Sequence, residues 1–434
     1  MSSVKDSLGN LGTKLLLYPI NFIISIIIAR YLGPEDRGIY SYILVILSFL
    51  IPIISLGFGA GVMYYISTGK YKIKDVFVTV NIISILIGML AATVIVLLWS
   101  LNILGESAKS FSLQNIFLLS GSIIFTSNYF FNTRILLGNS NFKLLNIVDI
   151  FQSLFNPFVI LIFVYLFSLR VNGIFISLFI ANSILAIILI LFIKKHIGVR
   201  YIWQKDFLTN AISYGLKGWF GDMAIKANVR LDQIILGAKV SSYSLGIYSI
   251  AVLLAELIWV IPDSVGNVLF NRITKIEKIS ERVHMTTRIA RILLTLSFFV
   301  SLCLLLLSYY LIIPYGYGPD YYNSLSVLII LIPGSIMMIF TKVATKLLSG
   351  SAMIAKSSQI QIISAIVGVA LYIFLIPFFG YYGAAIASSI AYIVGALCSL
   401  YLMKKYFSIS FYDFAILRKD DMIWTKNKIL KLVK

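Results

Sequence analysis

Residues 211–236 read AISYGLKGWFGDMAIKANVRLDQIIL, and whether this stretch crosses a membrane decides the fold. Its length suits a helix crossing roughly 30 Å of hydrocarbon, which takes about 20 residues. Its charge argues the other way, because Lys217, Asp222, Lys226, Arg230 and Asp232 interrupt it. The loops around it resolve the conflict. If the stretch spans and the N-terminus is inside, most of the 36 Lys and Arg fall in cytoplasmic segments. The external loops then hold only Arg30, Arg37, Lys109, Arg170 and Lys239. If it does not span, Arg272, Lys275, Lys278, Arg282, Arg288 and Arg291 lie outside, with the basic tail from Lys404, against the positive-inside rule. The charged stretch is therefore read as span seven.

The other spans follow from apolar runs at about 15–32, 39–63, 76–100, 113–132, 144–167, 173–193, 243–269, 289–313, 324–345, 359–379 and 383–403. The 434 residues are 60% hydrophobic and 12% charged, with a mean hydropathy of +0.96, more apolar surface than one soluble core can hide. Short alternating segments, the mark of a β-barrel, are not seen. The expected fold is all-α and polytopic, with about twelve transmembrane helices and both termini cytoplasmic. The long first apolar run without a small-residue cleavage site reads as a retained anchor.

The net charge of +19 does not point to nucleic acid, because the basic residues sit in short loops and form no stripe. Cys303 and Cys398 lie far apart in apolar spans, and His196 and His284 are read as loop residues. No disulfide framework, metal site or intramembrane histidine follows. No resident cofactor and no enzymatic activity are expected.

The chain repeats itself. Gly38-Ile39-Tyr40-Ser41 opens span two, and Gly246-Ile247-Tyr248-Ser249 opens span eight, 208 positions later. Around spans six and twelve, Gly173, Ile176, Ala181, Lys194 and Lys195 match Gly383, Ile386, Ala391, Lys404 and Lys405 at an offset of 210. Two matches at nearly one offset imply two six-helix halves inserted in the same sense, residues 1–200 and 201–403, followed by a basic tail, 404–434. The tail, with Tyr406, Phe411, Tyr412, Phe414 and Trp424 among its lysines, is expected to lie on the anionic inner leaflet.

The segment Ala29-Arg30-Tyr31-Leu32-Gly33-Pro34-Glu35-Asp36-Arg37-Gly38-Ile39-Tyr40-Ser41 resembles the signature between the first two spans of Wzx-type polysaccharide and O-antigen flippases. The likeness continues in Leu56-Gly57-Phe58-Gly59 and in Asp232-Gln233-Ile234-Ile235-Leu236-Gly237. That family belongs to the multidrug, oligosaccharidyl-lipid and polysaccharide exporter superfamily. The resemblance implies two six-helix bundles around a central cavity that opens to alternate sides of a bacterial inner membrane. It also implies a substrate: an undecaprenyl-pyrophosphate-linked oligosaccharide carried to the external leaflet for O-antigen, capsule or another glycan. Membrane lipids and polysaccharide assembly proteins are the implied partners.

Ionisable groups inside spans face a bundle interior or water, and they are the functional candidates. At about 100° per residue, Asp222, Lys226, Arg230 and Gln233 share one stripe of span seven, while Ser213, Lys217, Asn228 and Asp232 share another. Arg30, Lys217, Lys226, Arg230 and Lys342 are the candidate cations for a pyrophosphate, since charge-assisted bonds suit phosphate oxygens. Asp149, ahead of Pro157, Glu256 and Asp263, beside Pro262, and Asp222 of span seven are the candidate acids for coupling to H⁺ or Na⁺. Against each stands a plainer account. Asp222 and Lys226 can neutralise each other, the acids of spans five and eight can pair with the span-seven bases, and Arg230, Asp232 and Lys342 can snorkel to the interface. Tyr18, Asn21 and Ser25 share a face of span one that can bond a sugar or a neighbouring helix.

Four other functions compete. A drug or cation exporter of the same superfamily favours an acidic, aromatic cavity, and a lipid II flippase carries two further spans. A membrane-embedded glycan polymerase needs a larger external loop, and an acyltransferase needs an intramembrane histidine.

Overall fold

A computed structural model describes residues 2–197 and 199–424, without side-chain detail for 2–16, 142 and 143. The last ten residues of the expected basic tail, 425–434, lie outside the described residues. Among the described residues every regular element is a helix, with no strand.

Helix α1 (Ser2–Ile54) is two rods joined at Gly33, whose φ of 73° and ψ of 172° break the helix just before Pro34. Glycine reaches that left-handed φ at no steric cost, so the quoted Gly33-Pro34 turn is where spans one and two divide. The second rod bends at Leu56-Gly57 and runs on as α2 (Phe58–Ser67). Then come α3 (Ile73–Ser100), α4 (Leu113–Gly138), α5 (Phe142–Ile160) with a wide last turn at Leu161–Leu166, α6 (Arg170–Ile197) and α7 (Lys205–Lys239). Span eight is α8 (Ser242–Leu257) and α9 (Val260–Ile273), bent by 46°. Helix α10 (Ile279–Leu307), α11 (Asn323–Gly350) and α12 (Ile354–Phe407) follow, and α12 is again two rods, parted at Gly380 (φ 54°). A short α13 (Phe411–Ala415) comes after the last span.

Counted as rods, these helices give the twelve expected spans. Seven helices are long and apolar enough to cross a membrane outright, eight if the bent pair counts as one span. Their burial is inverted relative to a soluble protein. The most apolar window of α3 has a hydropathy of 2.7 but is only 28% buried, and Leu86, Met89, Leu90 and Leu97 stand exposed along it. Apolar surface on that scale requires lipid as the solvent.

The helices gather into two compact units. The first comprises Met1–Met223 and Gly237–Gly246; the second comprises Ala224–Leu236 and Ile247–Lys434. The division therefore runs through α7, whereas the repeat placed it ahead of that helix, at residue 200.

In the first unit, α2, α3, α4, α6 and the start of α7 enclose a core that includes Phe58, Val62, Val80, Phe131, Ile135, Leu189 and Phe207. The start of α7 docks on the end of span two without room for a side chain: a Cβ on Gly57 would strike the Gly215 backbone, and one on Gly215 would strike Gly57. Trp219 donates its indole N–H to the Pro52 carbonyl at 2.9 Å, and Tyr64 stacks on Tyr214 at 4.0 Å. Between α3 and α4, Asn81, Asn128, Asn132 and Ser84 close a hydrogen-bonded cluster, the usual means of joining helices where lipid offers no hydrophobic drive.

In the second unit α11 packs along α12, and Trp259 of the α8–α9 bend donates to the Ser335 carbonyl at 2.9 Å. The chain after α12 does not lie as a free amphipathic strip. Arg291 grips Asp421 with Nε to Oδ2 at 2.6 Å and Nη2 to Oδ1 at 2.8 Å, and donates Nη1 to the Asp413 carbonyl at 2.7 Å. Phe414 is fully buried against Phe340. A bidentate ion pair and a buried ring thus hold residues 408–424 on the protein. His196 and His284, read as loop residues, lie on α6 and α10.

Candidate functional site

Each unit carries polar side chains inside otherwise apolar helices. In the first unit, α1 contributes Leu17, Tyr18 and Asn21, one helical turn on one face, and α5 contributes Asp149, Gln152 and Ser153, again one turn. Together they line a cavity of about 200 Å³. Tyr129 of α4 donates its hydroxyl to Gln152 Oε1 at 2.9 Å. The polar face of span one and the candidate acid Asp149 of span five thus share one wall. Ser25, on the same face of α1, accepts from Arg37 at 3.3 Å.

One cation of this unit was missed. Arg134 lies inside α4, its guanidinium 4.5 Å over the Phe130 ring, with Asp222 as the acid whose charge acts on it. It is half-buried and donates no hydrogen bond to any described residue. Apolarity alone ended span four at residue 132, which put Arg134 in a loop; the helix runs six residues further, to Gly138. Lys217 and Asp222 are exposed, and so is Arg30.

In the second unit the candidate cations and candidate acids meet each other. Arg230 Nη1 lies 2.8 Å from Glu256 Oε1, and Lys342 Nζ lies 2.7 Å from Asp263 Oδ1 and 4.9 Å from the Trp259 ring centroid. Lys346 reaches Asn267 Oδ1 at 3.2 Å, so its partner is neutral. Lys226 is half-buried. The bent α8–α9 helix presents Glu256, Asp263 and Asn267 in a row, and the basic side chains come to that row from α7 and α11.

Asp232 does not snorkel. It is 1% exposed, and its carboxylate accepts from the Tyr248 hydroxyl at 2.6 Å, the Ser388 hydroxyl at 3.2 Å and the Gln233 N–H at 2.7 Å. Tyr372 extends the chain through Ser388 at 3.1 Å. The sequence held a signal for this site, since Asp232-Gln233 and Tyr248 both stand in family-like or repeated segments. A buried carboxylate fully hydrogen-bonded by neutral donors is also the arrangement that a buried charge needs.

Set beside known proteins, residues 3–277 match the polysaccharide biosynthesis protein family. That is more than half of the chain, and the chain belongs to this family. It is 23% identical over 403 residues to the capsular polysaccharide biosynthesis protein CapF of Staphylococcus aureus, covering 89% of this chain and 95% of that protein. It is 21% identical over 434 residues to an uncharacterised membrane protein of Methanocaldococcus jannaschii, covering 93% and 84%. Among solved structures, an inward-facing multidrug resistance transporter of the MATE family superposes with a TM-score of 0.74 at 15% identity, over 90% of this chain and 94% of that one. The lipid II flippase MurJ in an inward closed conformation gives 0.72 at 16%, over 96% and 89%. The protein is a multi-pass membrane protein of that family, and its fold is the one seen in the MATE transporter and MurJ structures, as the Wzx-type resemblance implied.

Proposed function

We propose that the protein is a flippase that carries an undecaprenyl-pyrophosphate-linked oligosaccharide from the cytoplasmic to the external leaflet by alternating access. Both termini are then cytoplasmic, in a bacterial inner membrane, and the glycan is destined for the cell surface. One observation carries the reading: Arg134, half-buried in the last turns of α4, has a guanidinium that donates no hydrogen bond to any described residue. A half-buried guanidinium left without a hydrogen-bond partner is costly, and its planar fork suits phosphate oxygens. In the second unit, Lys226 and Lys346 are further candidate bases for phosphate oxygens. The ion pairs of Arg230 and Lys342 make those two residues exchangeable contacts, released to the phosphates when the substrate enters. Glu256 and Asp263 then take up H⁺ or Na⁺ as their partners leave, with Asp149 and Asp222 as the other candidate acids. Assembly proteins that receive the glycan outside are the expected partners.

The experiment is loss of function in cells. Without the protein, lipid-linked oligosaccharide accumulates facing the cytoplasm, and Arg134→Ala or Lys226→Ala reproduces that accumulation while the protein stays folded in the membrane. Normal export by both variants defeats the headgroup site. The likeness to a multidrug transporter supports a second reading, export of an organic cation, and drug efflux by cells carrying the protein separates the two.

A further inference from the structure

We propose that the cavity between α1 and α5 is a sugar-recognition subsite that holds one ring of the transported glycan. The inference rests on the transport reading above and says which part of that substrate meets which wall. Of the six described lining residues, Tyr18, Asn21, Asp149, Gln152 and Ser153 are polar and Leu17 is not. Polar groups at that density within two spans do not face lipid; they face water or a hydrated ligand.

Size decides between ligand classes. A carboxylate, two amide oxygens and hydroxyls also suit a bare cation, but one water-sized particle fills only on the order of 15 Å³. The cavity measures about 200 Å³, which is room for a ring with its hydroxyls and far more than an ion needs.

Chemistry then favours a sugar. Every sugar hydroxyl both donates and accepts, so its site needs both functions: Asp149 accepts only, Asn21 and Gln152 do both, and the Ser153 and Tyr18 hydroxyls do either. Tyr18 adds an aromatic face, with Leu17 beside it, for the apolar side of a ring. The site is also preset. The Tyr129 hydroxyl, on a side chain only 9% exposed, fixes Gln152 through its carbonyl oxygen at 2.9 Å, which leaves the amide N–H₂ to donate.

The test uses the full-length protein in lipid nanodiscs and calorimetric titration with three probes: glycan released by mild acid from the source cells' lipid-linked pool, inorganic pyrophosphate, and sodium chloride. Asp149→Asn and Gln152→Ala are expected to weaken glycan binding about tenfold each, the loss of one good hydrogen bond, with pyrophosphate affinity unchanged. Tyr18→Phe, which removes one oxygen, repeats the test should either variant fail to fold. Unchanged glycan affinity in the variants overturns the subsite while leaving the transport reading intact. Loss of sodium binding in Asp149→Asn with glycan affinity kept overturns it in favour of an ion site. A wild-type protein that binds neither glycan nor pyrophosphate overturns both.

Discussion

Gly38 and Gly246, the first residues of the two repeated tetrapeptides, pack backbone to backbone: a Cβ on Gly38 would lie 2.9 Å from the Gly246 nitrogen and would collide with the Ser242 carbonyl. Gly246 in turn meets the Pro34 carbonyl so closely that its own Cβ has no place. The repeat is therefore more than a trace of duplication. Its glycines occur twice because each copy is the surface on which the other rests, where the chain turns out of span one and into span eight.

Gly38→Ala and Gly246→Ala should each destabilise the protein by roughly 1–3 kcal/mol, the usual cost of forcing atoms into a filled contact. Gly218, also within a helix, has nothing within 4 Å of an added Cβ, so Gly218→Ala should be neutral or slightly stabilising. Melting of the purified variants in detergent compares the three.

The grip of Arg291 on Asp421 predicts a pH dependence. The hydrogen bond from Arg291 is the main reason that the Asp421 carboxyl is held down at about 2, below the ordinary carboxylate value near 4. A carboxylate depressed in the folded state stabilises it above its unfolded value and loses that contribution as the pH falls through the folded one. The clamp is thus intact at neutral pH and fails between about pH 4 and pH 2, with a contribution of roughly 2 kcal/mol at stake. Asp421→Asn should loosen the segment after α12 at pH 7, read as faster proteolysis between 408 and 424 with the spans still folded. Equal protease resistance in the variant would contradict the clamp.

Asp232 predicts a contrast between two substitutions. Asp232→Ala leaves the buried Tyr248 and Ser388 hydroxyls without their shared acceptor, a loss on the order of 1–3 kcal/mol. Asp232→Asn keeps an acceptor oxygen for them and should cost clearly less. If melting shows the two variants equally damaged, the hydroxyls are not what the carboxylate satisfies.

Arg230 and Glu256 can be separated by a double-substitution cycle. Both side chains keep about a third of their exposure, so their ion pair contributes only about 1 kcal/mol to stability. If Arg230 serves the substrate, Arg230→Ala should block export even in a Glu256→Gln background. Recovery of export in the double variant would reduce the pair to a structural neutralisation.

The frame of the molecule was legible in the sequence because each piece of it is local. Gly33-Pro34 announced the break between spans one and two, and loop charge kept span seven in spite of Asp222, Lys226 and Arg230. What stayed hidden depends on partners far away in the chain. Asp232 looked like a residue at a helix end, and only Tyr248 and Ser388, 16 and 156 positions on, make it a buried acceptor. Asp421 looked like one acid in a basic tail until Arg291 closed on it. Arg134 was lost to a boundary, since hydropathy marks where lipid ends and not where the helix does.

The central claim is tested most directly in proteoliposomes that hold the purified protein and its lipid-linked oligosaccharide, with glycan exposure followed by a membrane-impermeant lectin. Wild-type protein should move the glycan between leaflets far faster than empty liposomes do, and Arg134→Ala should not. Glycan that stays on its original leaflet with correctly folded wild-type protein present, across imposed H⁺ and Na⁺ gradients, would contradict the account.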